Sequence, residues 1–132
     1  MLDEFRSEYK DIPYAAFRIV FGLLFVMHGL MKFGIGSNFE YSKLEPMAKI
    51  AAPIEVFGGI LIVLGLWTSF AAFITSGEMA VAFWTTHAKS GLSPLANGGE
   101  LAVLYCFAFL AICFIGGGKY SIDAKIRKRI FR

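Results

Sequence analysis

The sequence predicts an all-α fold: an integral membrane four-helix bundle with both termini on the cytoplasmic side. Three observations lead there. Hydrophobic residues make up 57% of the 132-residue chain and charged residues only 17%, against about 25% charged in soluble domains. Fourteen residues are Phe, more apolar surface than a soluble domain of this size hides, because small domains bury a limited fraction of theirs. The apolar residues also fall into four runs separated by turn-forming stretches.

The first run covers about residues 14–36 and is opened by Pro13, a residue suited to the first helical turn. The second, about 53–66, again starts at a proline and reaches the roughly 17–25 residues of a spanning helix only by borrowing "WTSF". The third covers about 69–86, with Thr68 or Ser69 placed to cap it. The fourth, about 98–115, is stopped by "GGG" at 116–118. Between the first two runs, Tyr41, Leu44, Met47 and Ile50 recur at three-residue steps, which predicts a short interfacial helix. "AKSGLSPLANGG" reads as an ordered turn region. The whole chain is one transmembrane domain.

Residues 119–132, "KYSIDAKIRKRIFR", hold six Lys or Arg against one acid. Beside an apolar helix this is a basic cytoplasmic tail on anionic headgroups rather than a nucleic-acid site. Arg6 and Lys10 add positive charge at the N-terminus, while the two long loops carry Lys43, Lys49 and Lys89. An even number of spans then favours N-in and C-in, a multi-pass protein of the cell (cytoplasmic or inner) membrane. The start of the chain lacks a basic leader and a small-residue cleavage site, so no cleaved signal peptide is expected. Cys106 and Cys113 lie seven residues apart in one apolar run. That is about 10 Å along a helix, too far for a disulfide between them.

The costly residues share a pattern. Arg18, Gly22, Phe25, Gly29 and Lys32 follow steps of four and three, one seam of a helix with glycines for close approach. Glu55, Gly58, Ile62 and Gly65 form a second seam. Ile19, Leu23, Val26 and Leu30 are left for lipid. Counting depth along antiparallel helices places Lys32, Glu55 and Glu100 in one outer layer, with His28 slightly deeper, Asn97 beside Glu100, and Glu78 near mid-depth. Each unpaired charge at a helix centre costs about 2.5–3.5 kcal/mol on insertion scales, so pairing is expected. Lys32, Arg18, His28 and Asn97 are the candidate ligand-binding residues, and Glu55 and Glu100 the candidate proton carriers. His28 and His87 differ by about 10 Å in depth, which disfavours a haem held between them. No metal is expected, and a site of His28, Glu55 and Glu100 is only a minor alternative.

The segments "RIVFGLLFVMHGLMKF", "APIEVFGGILIVLGLWTSFAA", "NGGELAVLYCFAFLAI" and "GGGKYSID" resemble, in order, the blocks of the DoxX family. The resemblance covers nearly all of the chain beyond its first dozen residues. It implies a four-helix protein of the bacterial or archaeal cytoplasmic membrane. The family is similar to the membrane subunits of archaeal thiosulfate:quinone oxidoreductase, and other members are tied to oxidative stress and to quinone or catechol resistance. By position the family pattern falls on Arg18, Gly22, Gly29, Lys32, Glu55, Gly58, Gly65, Thr68, Asn97, Glu100, Tyr105, Gly116, Ser121 and Asp123. Together these point to a redox-associated protein binding a quinone or similar small ligand, with Glu55 and Glu100 as the candidate catalytic residues. The rivals are a non-catalytic membrane subunit anchoring a soluble oxidoreductase, and a small-solute or anion transporter, for which four short helices would need to self-associate as a homo-oligomer. The partners expected are therefore the lipid bilayer, a soluble oxidoreductase and a second copy, with no nucleic acid.

Overall fold

A computed structural model describes residues 9–130. Arg6 and Arg132, which the charge asymmetry of the sequence includes, lie outside them. The described residues form helices and turns with no β-strand: α1 Asp11–Lys32, α2 Pro46–Leu64, α3 Thr68–Ala82, α4 Glu100–Ile115 and α5 Ile122–Ile130. α1 and α2 are long and apolar enough to cross a membrane, with mean hydropathies of 1.7 and 1.9 over their best windows. α3 has fifteen α-helical residues and continues into a π-helical turn, Phe83–His87. α4 is apolar and somewhat shorter, at sixteen residues.

The boundaries differ from the sequence expectation at two places, each for a visible reason. α2 begins at Pro46, not Pro53, and takes in Met47 and Ile50. Only a single 3-10 turn, Tyr41–Lys43, precedes it, so no separate interfacial helix forms. Pro53 then sits inside the helix and cannot donate to the carbonyl four residues back. That carbonyl, on Lys49, accepts a hydrogen bond from the Tyr41 hydroxyl at 3.0 Å instead. The second difference is the start of α3. Neither Thr68 nor Ser69 caps it; the N-cap is Trp67, in the left-handed region at φ 47, without a side-chain cap bond of its own. The Asp123 carboxylate supplies the cap from α5, accepting the N–H groups of Trp67 at 2.8 Å and Thr68 at 2.9 Å and the Thr68 hydroxyl at 2.7 Å.

Glycine sets how closely α1 and α2 lie. A Cβ on Gly29 would stand 2.9 Å from the Ala52 carbonyl, and one on Gly59 2.9 Å from that of Gly22. Both contacts are with backbone, so nothing can move aside. The buried residues of α1 are Arg18, Gly22, Phe25 and Gly29, the seam read in the sequence. The exposed stripe is Val20, Leu23, Leu24, Met27 and Met31; Val26 instead packs on Gly59. α3 packs along α4, tied by the Ser76 hydroxyl to the Cys106 carbonyl at 2.8 Å. α1 and α4 meet mainly through rings, with Phe25 against Phe109 at 4.7 Å and Phe21 against Tyr105 at 5.7 Å between centroids.

Arg18 closes the end at which α2 turns into α3. It is 1% exposed and donates to the carbonyls of Ile62, Val63 (2.6 Å) and Tyr120 (2.7 Å). Two of these belong to the last turn of α2, where carbonyls lack helical partners and a cation is favoured. The third ties down the segment after the glycine stop.

Candidate functional site

At the opposite end of the bundle, the four long helices enclose a cavity of about 600 Å³, within the range of small-molecule sites. Its walls are mostly aliphatic and aromatic, with Phe25 and Tyr105 among them. The polar groups come from the helices and from the π-helical turn, which adds Thr85, Thr86 and His87. α1 brings His28 and Lys32, α2 brings Glu55 and α3 brings Glu78.

Lys32 Nζ lies 2.5 Å from Glu55 Oε1, and the side chains are 27% and 2% exposed respectively. α1 and α2 run antiparallel, so Lys32, one turn past Gly29, and Glu55, one turn past Ala52, lie on either side of the point where the backbones touch, and each side chain leans toward its own helix N-terminus to meet the other. The other oxygen of Glu55 is buried and accepts nothing. Glu78 lies close enough for the charges of Glu55 and Lys32 to act on it, and its Oε2 is likewise buried without a hydrogen-bond partner. A buried polar atom left unpaired in this way is uncommon. His28 donates through Nδ1 to the Leu24 carbonyl at 2.8 Å, and its ring meets Tyr105 edge-on at 5.6 Å.

Of the residues singled out in the sequence, the structure brings Lys32, Glu55 and His28 together at this cavity. It does not bring Glu100. That residue is exposed and absent from the cavity wall, because α4 buries Ala102, Tyr105, Phe109 and Ile112. At about 100° per residue, Glu100 lies some 160–180° around the helix from Ala102 and Phe109. The expected trio of Lys32, Glu55 and Glu100 is therefore replaced by Lys32, Glu55 and Glu78. Arg18 belongs to the far end of the bundle. Asn97 organises its own loop, donating to the Gly91 carbonyl at 2.8 Å and accepting the Gly99 N–H at 2.8 Å. Among the described residues no three His, Cys, Asp or Glu side chains converge to hold a metal ion, so His28, Glu55 and Glu100 do not form such a site. His87 lines the cavity from the π-helical turn. Glu78 is the residue that depth counting left outside the site. Its signal was present: it follows Ala71 and Thr75 at steps of four and three, and both are buried.

An apolar helical bundle with a charged cavity at one end defines a small helical membrane-associated protein with a ligand-sized internal site. The sequence profile of the DoxX family matches residues 14–88, and the chain belongs to the DoxX family. It is 41% identical to an "Uncharacterized protein" of Haemophilus influenzae (strain ATCC 51907 / DSM 11121 / KW20 / Rd), over 93% of this chain and 97% of that one. A second Haemophilus influenzae protein, also named "Uncharacterized protein", is 32% identical over 60% of this chain and 52% of its own length. "Putative oxidoreductase CatD" of Bacillus subtilis (strain 168) is 24% identical over 89% of this chain and 90% of its own. No solved structure matches the chain.

Proposed function

We propose that this chain is a multi-pass protein of the bacterial cytoplasmic (inner) membrane, a four-helix membrane bundle with N-in and C-in topology, that binds a quinone or similar small ring ligand in the cavity at Lys32. One observation carries the proposal: a ligand-sized, largely apolar cavity whose wall holds the Lys32–Glu55 pair and a second glutamate, Glu78, beside the rings of Phe25 and Tyr105.

The chemistry fits a group that both accepts and donates hydrogen bonds. A quinone carbonyl accepts from the Lys32 ammonium, while the hydroxyls of the reduced ring donate to carboxylate oxygens of Glu55 and Glu78. Phe25 and Tyr105 offer flat faces to a flat ring. Glu55 holds the ammonium in place, and Glu78 is the carboxyl within reach to exchange a proton with the ring oxygen. The sequence carries no evident electron-carrying cofactor motif, and the redox role proposed here draws on a separate electron donor or acceptor. The name of the Bacillus subtilis relative accords with redox chemistry.

The test is binding of a short-chain benzoquinone and its quinol to purified protein in lipid nanodiscs. Lys32→Met and Glu78→Gln are each expected to weaken binding by about tenfold or more, the loss of one charge-assisted hydrogen bond. Glu100→Gln is expected to leave it unchanged. Undiminished binding in both Lys32→Met and Glu78→Gln sinks the proposal.

A non-catalytic anchoring role is the alternative, favoured by one feature. α5 exposes Lys125, Arg127, Lys128 and Arg129 together with Ile126 and Ile130. Truncation after Ala124 would release a soluble oxidoreductase bound there.

A further inference from the structure

The cavity has a side as well as an end. α2 and α3 touch at its floor, where a Cβ on Gly58 would stand 2.5 Å from Thr75 Cγ2. One turn on, Glu55 and Glu78 face the cavity. Along this flank the cavity wall includes Ile50 and Ile54 from α2 and Ile74 and Val81 from α3. Ile50 is 59% exposed, Val81 45% and Ile74 40%. These residues thus touch the cavity and the outer surface of the bundle at once. A wall residue that is also surface is the rim of an opening. The named rim residues are all aliphatic and lie along helix flanks; Thr85, one turn past Val81, is also exposed and lines the cavity.

We infer that the gap between α2 and α3 is a lateral portal, through which an amphiphilic ligand enters from the bilayer with its ring toward Lys32 and its hydrocarbon tail left lying between Ile50, Ile74 and Val81. This rests on the ligand proposal above and narrows it to a class: lipid-soluble rings with an aliphatic tail, not water-soluble ones. Charge is graded along the cavity accordingly. The charged groups gather at Lys32, Glu55 and Glu78, and the aliphatic side chains of Ile50, Ile54, Ile74 and Val81 line the α2–α3 flank. A ligand with a polar head and an apolar tail matches that gradient end for end, leaving no polar group in hydrocarbon and no apolar one against the carboxylates. The aliphatic rim also explains why the gap between two packed helices need not close in a membrane: lipid or a tail fills it without desolvating anything.

The experiment is photolabelling of the full chain in lipid nanodiscs. The probe is a benzoquinone carrying an alkyl tail with a diazirine midway along it. Label that disappears with excess unlabelled tailed quinone is mapped by mass spectrometry. It is expected on the segments 47–54 and 74–82. Ile74→Trp and Val81→Trp, which narrow the gap at half-exposed positions without entering the core, are expected to abolish that label while a tail-less benzoquinone still binds. Competable label confined to the loop mouth near Thr86, Gly98 and Leu101 would overturn the portal and leave the ligand proposal standing. Equal weakening of tailed and tail-less ligands by both Trp variants would also overturn it. Absence of any competable label, together with no binding of the tail-less ring, would remove the ligand proposal and the portal with it.

Discussion

Single residues decide where charge can be tolerated, and two cations on one helix solve that problem differently. Lys32 meets a carboxylate, whereas Arg18 meets three carbonyls. A planar guanidinium with five donors can serve several acceptors at once, which an ammonium on a flexible stem does less well. Arg18→Met keeps most of the volume and removes the donors. It is expected to lower stability by about 1–3 kcal/mol, the cost of leaving a buried carbonyl without its donor. Thermal unfolding in detergent reads the loss, and Arg18→Lys should recover only part of it. The folded fraction should bind a quinone ring as the parent does, because Arg18 lies at the other end of the bundle. Stepwise spacing made the Lys32–Glu55 meeting legible: both residues continue glycine- or alanine-bearing seams, and seams face neighbouring helices. Glu100 was misplaced because depth alone was counted. Height along a helix says nothing of azimuth, and only the phase set by Ala102, Tyr105 and Phe109 turns that carboxylate outward.

Elements were legible where apolar periodicity is long and obscured where a distant group supplies the local rule. Pro53 reads as a helix start because proline lacks an N–H; it lies mid-helix only because the Tyr41 hydroxyl satisfies the freed carbonyl. The start of α3 likewise depends on Asp123, more than fifty residues on. Partial burial pushes the Asp123 carboxyl up, but hydrogen bonds from the Thr68 N–H and hydroxyl and the Trp67 N–H, with the charge of Arg127, more than offset it, so the group titrates below its ordinary range. A carboxyl held below its unfolded value stabilises the fold fully above that unfolded value, and the stabilisation is lost as pH falls through the folded one. Asp123→Ala is therefore expected to cost about 0.5–2 kcal/mol at neutral pH, the usual worth of such a cap. The gap in melting temperature between parent and variant should narrow as pH falls below about 4, the ordinary aspartate range. A gap that stays constant down to pH 2 would remove the capping role.

At the scale of the whole molecule, the bundle is two close pairs, α1 with α2 and α3 with α4, joined through the Gly58–Thr75 contact, the ring cluster and the Asp123 clamp. The glycine and Ser76 contacts make each pair tight, while the cavity occupies the space where the pairs diverge. Burial and pairing alone do not orient such a bundle in a membrane; charge does. Lys125, Arg127, Lys128 and Arg129 are all exposed on α5; in the N-in, C-in topology we propose, anionic headgroups and the positive-inside bias keep this segment on the cytoplasmic face. In that proposed topology the α2–α3 turn, clamped to α5 by Asp123, lies on the same face, and the cavity end near Lys32 opens toward the other. In a background of Cys106→Ala and Cys113→Ala, Ser90→Cys is then expected to react with a membrane-impermeant maleimide in intact cells whose outer envelope is opened, and Lys125→Cys only after the cytoplasmic membrane is permeabilised. The reverse pattern would invert the bundle and put the Lys32 cavity within reach of cytoplasmic rather than outward-facing electron donors.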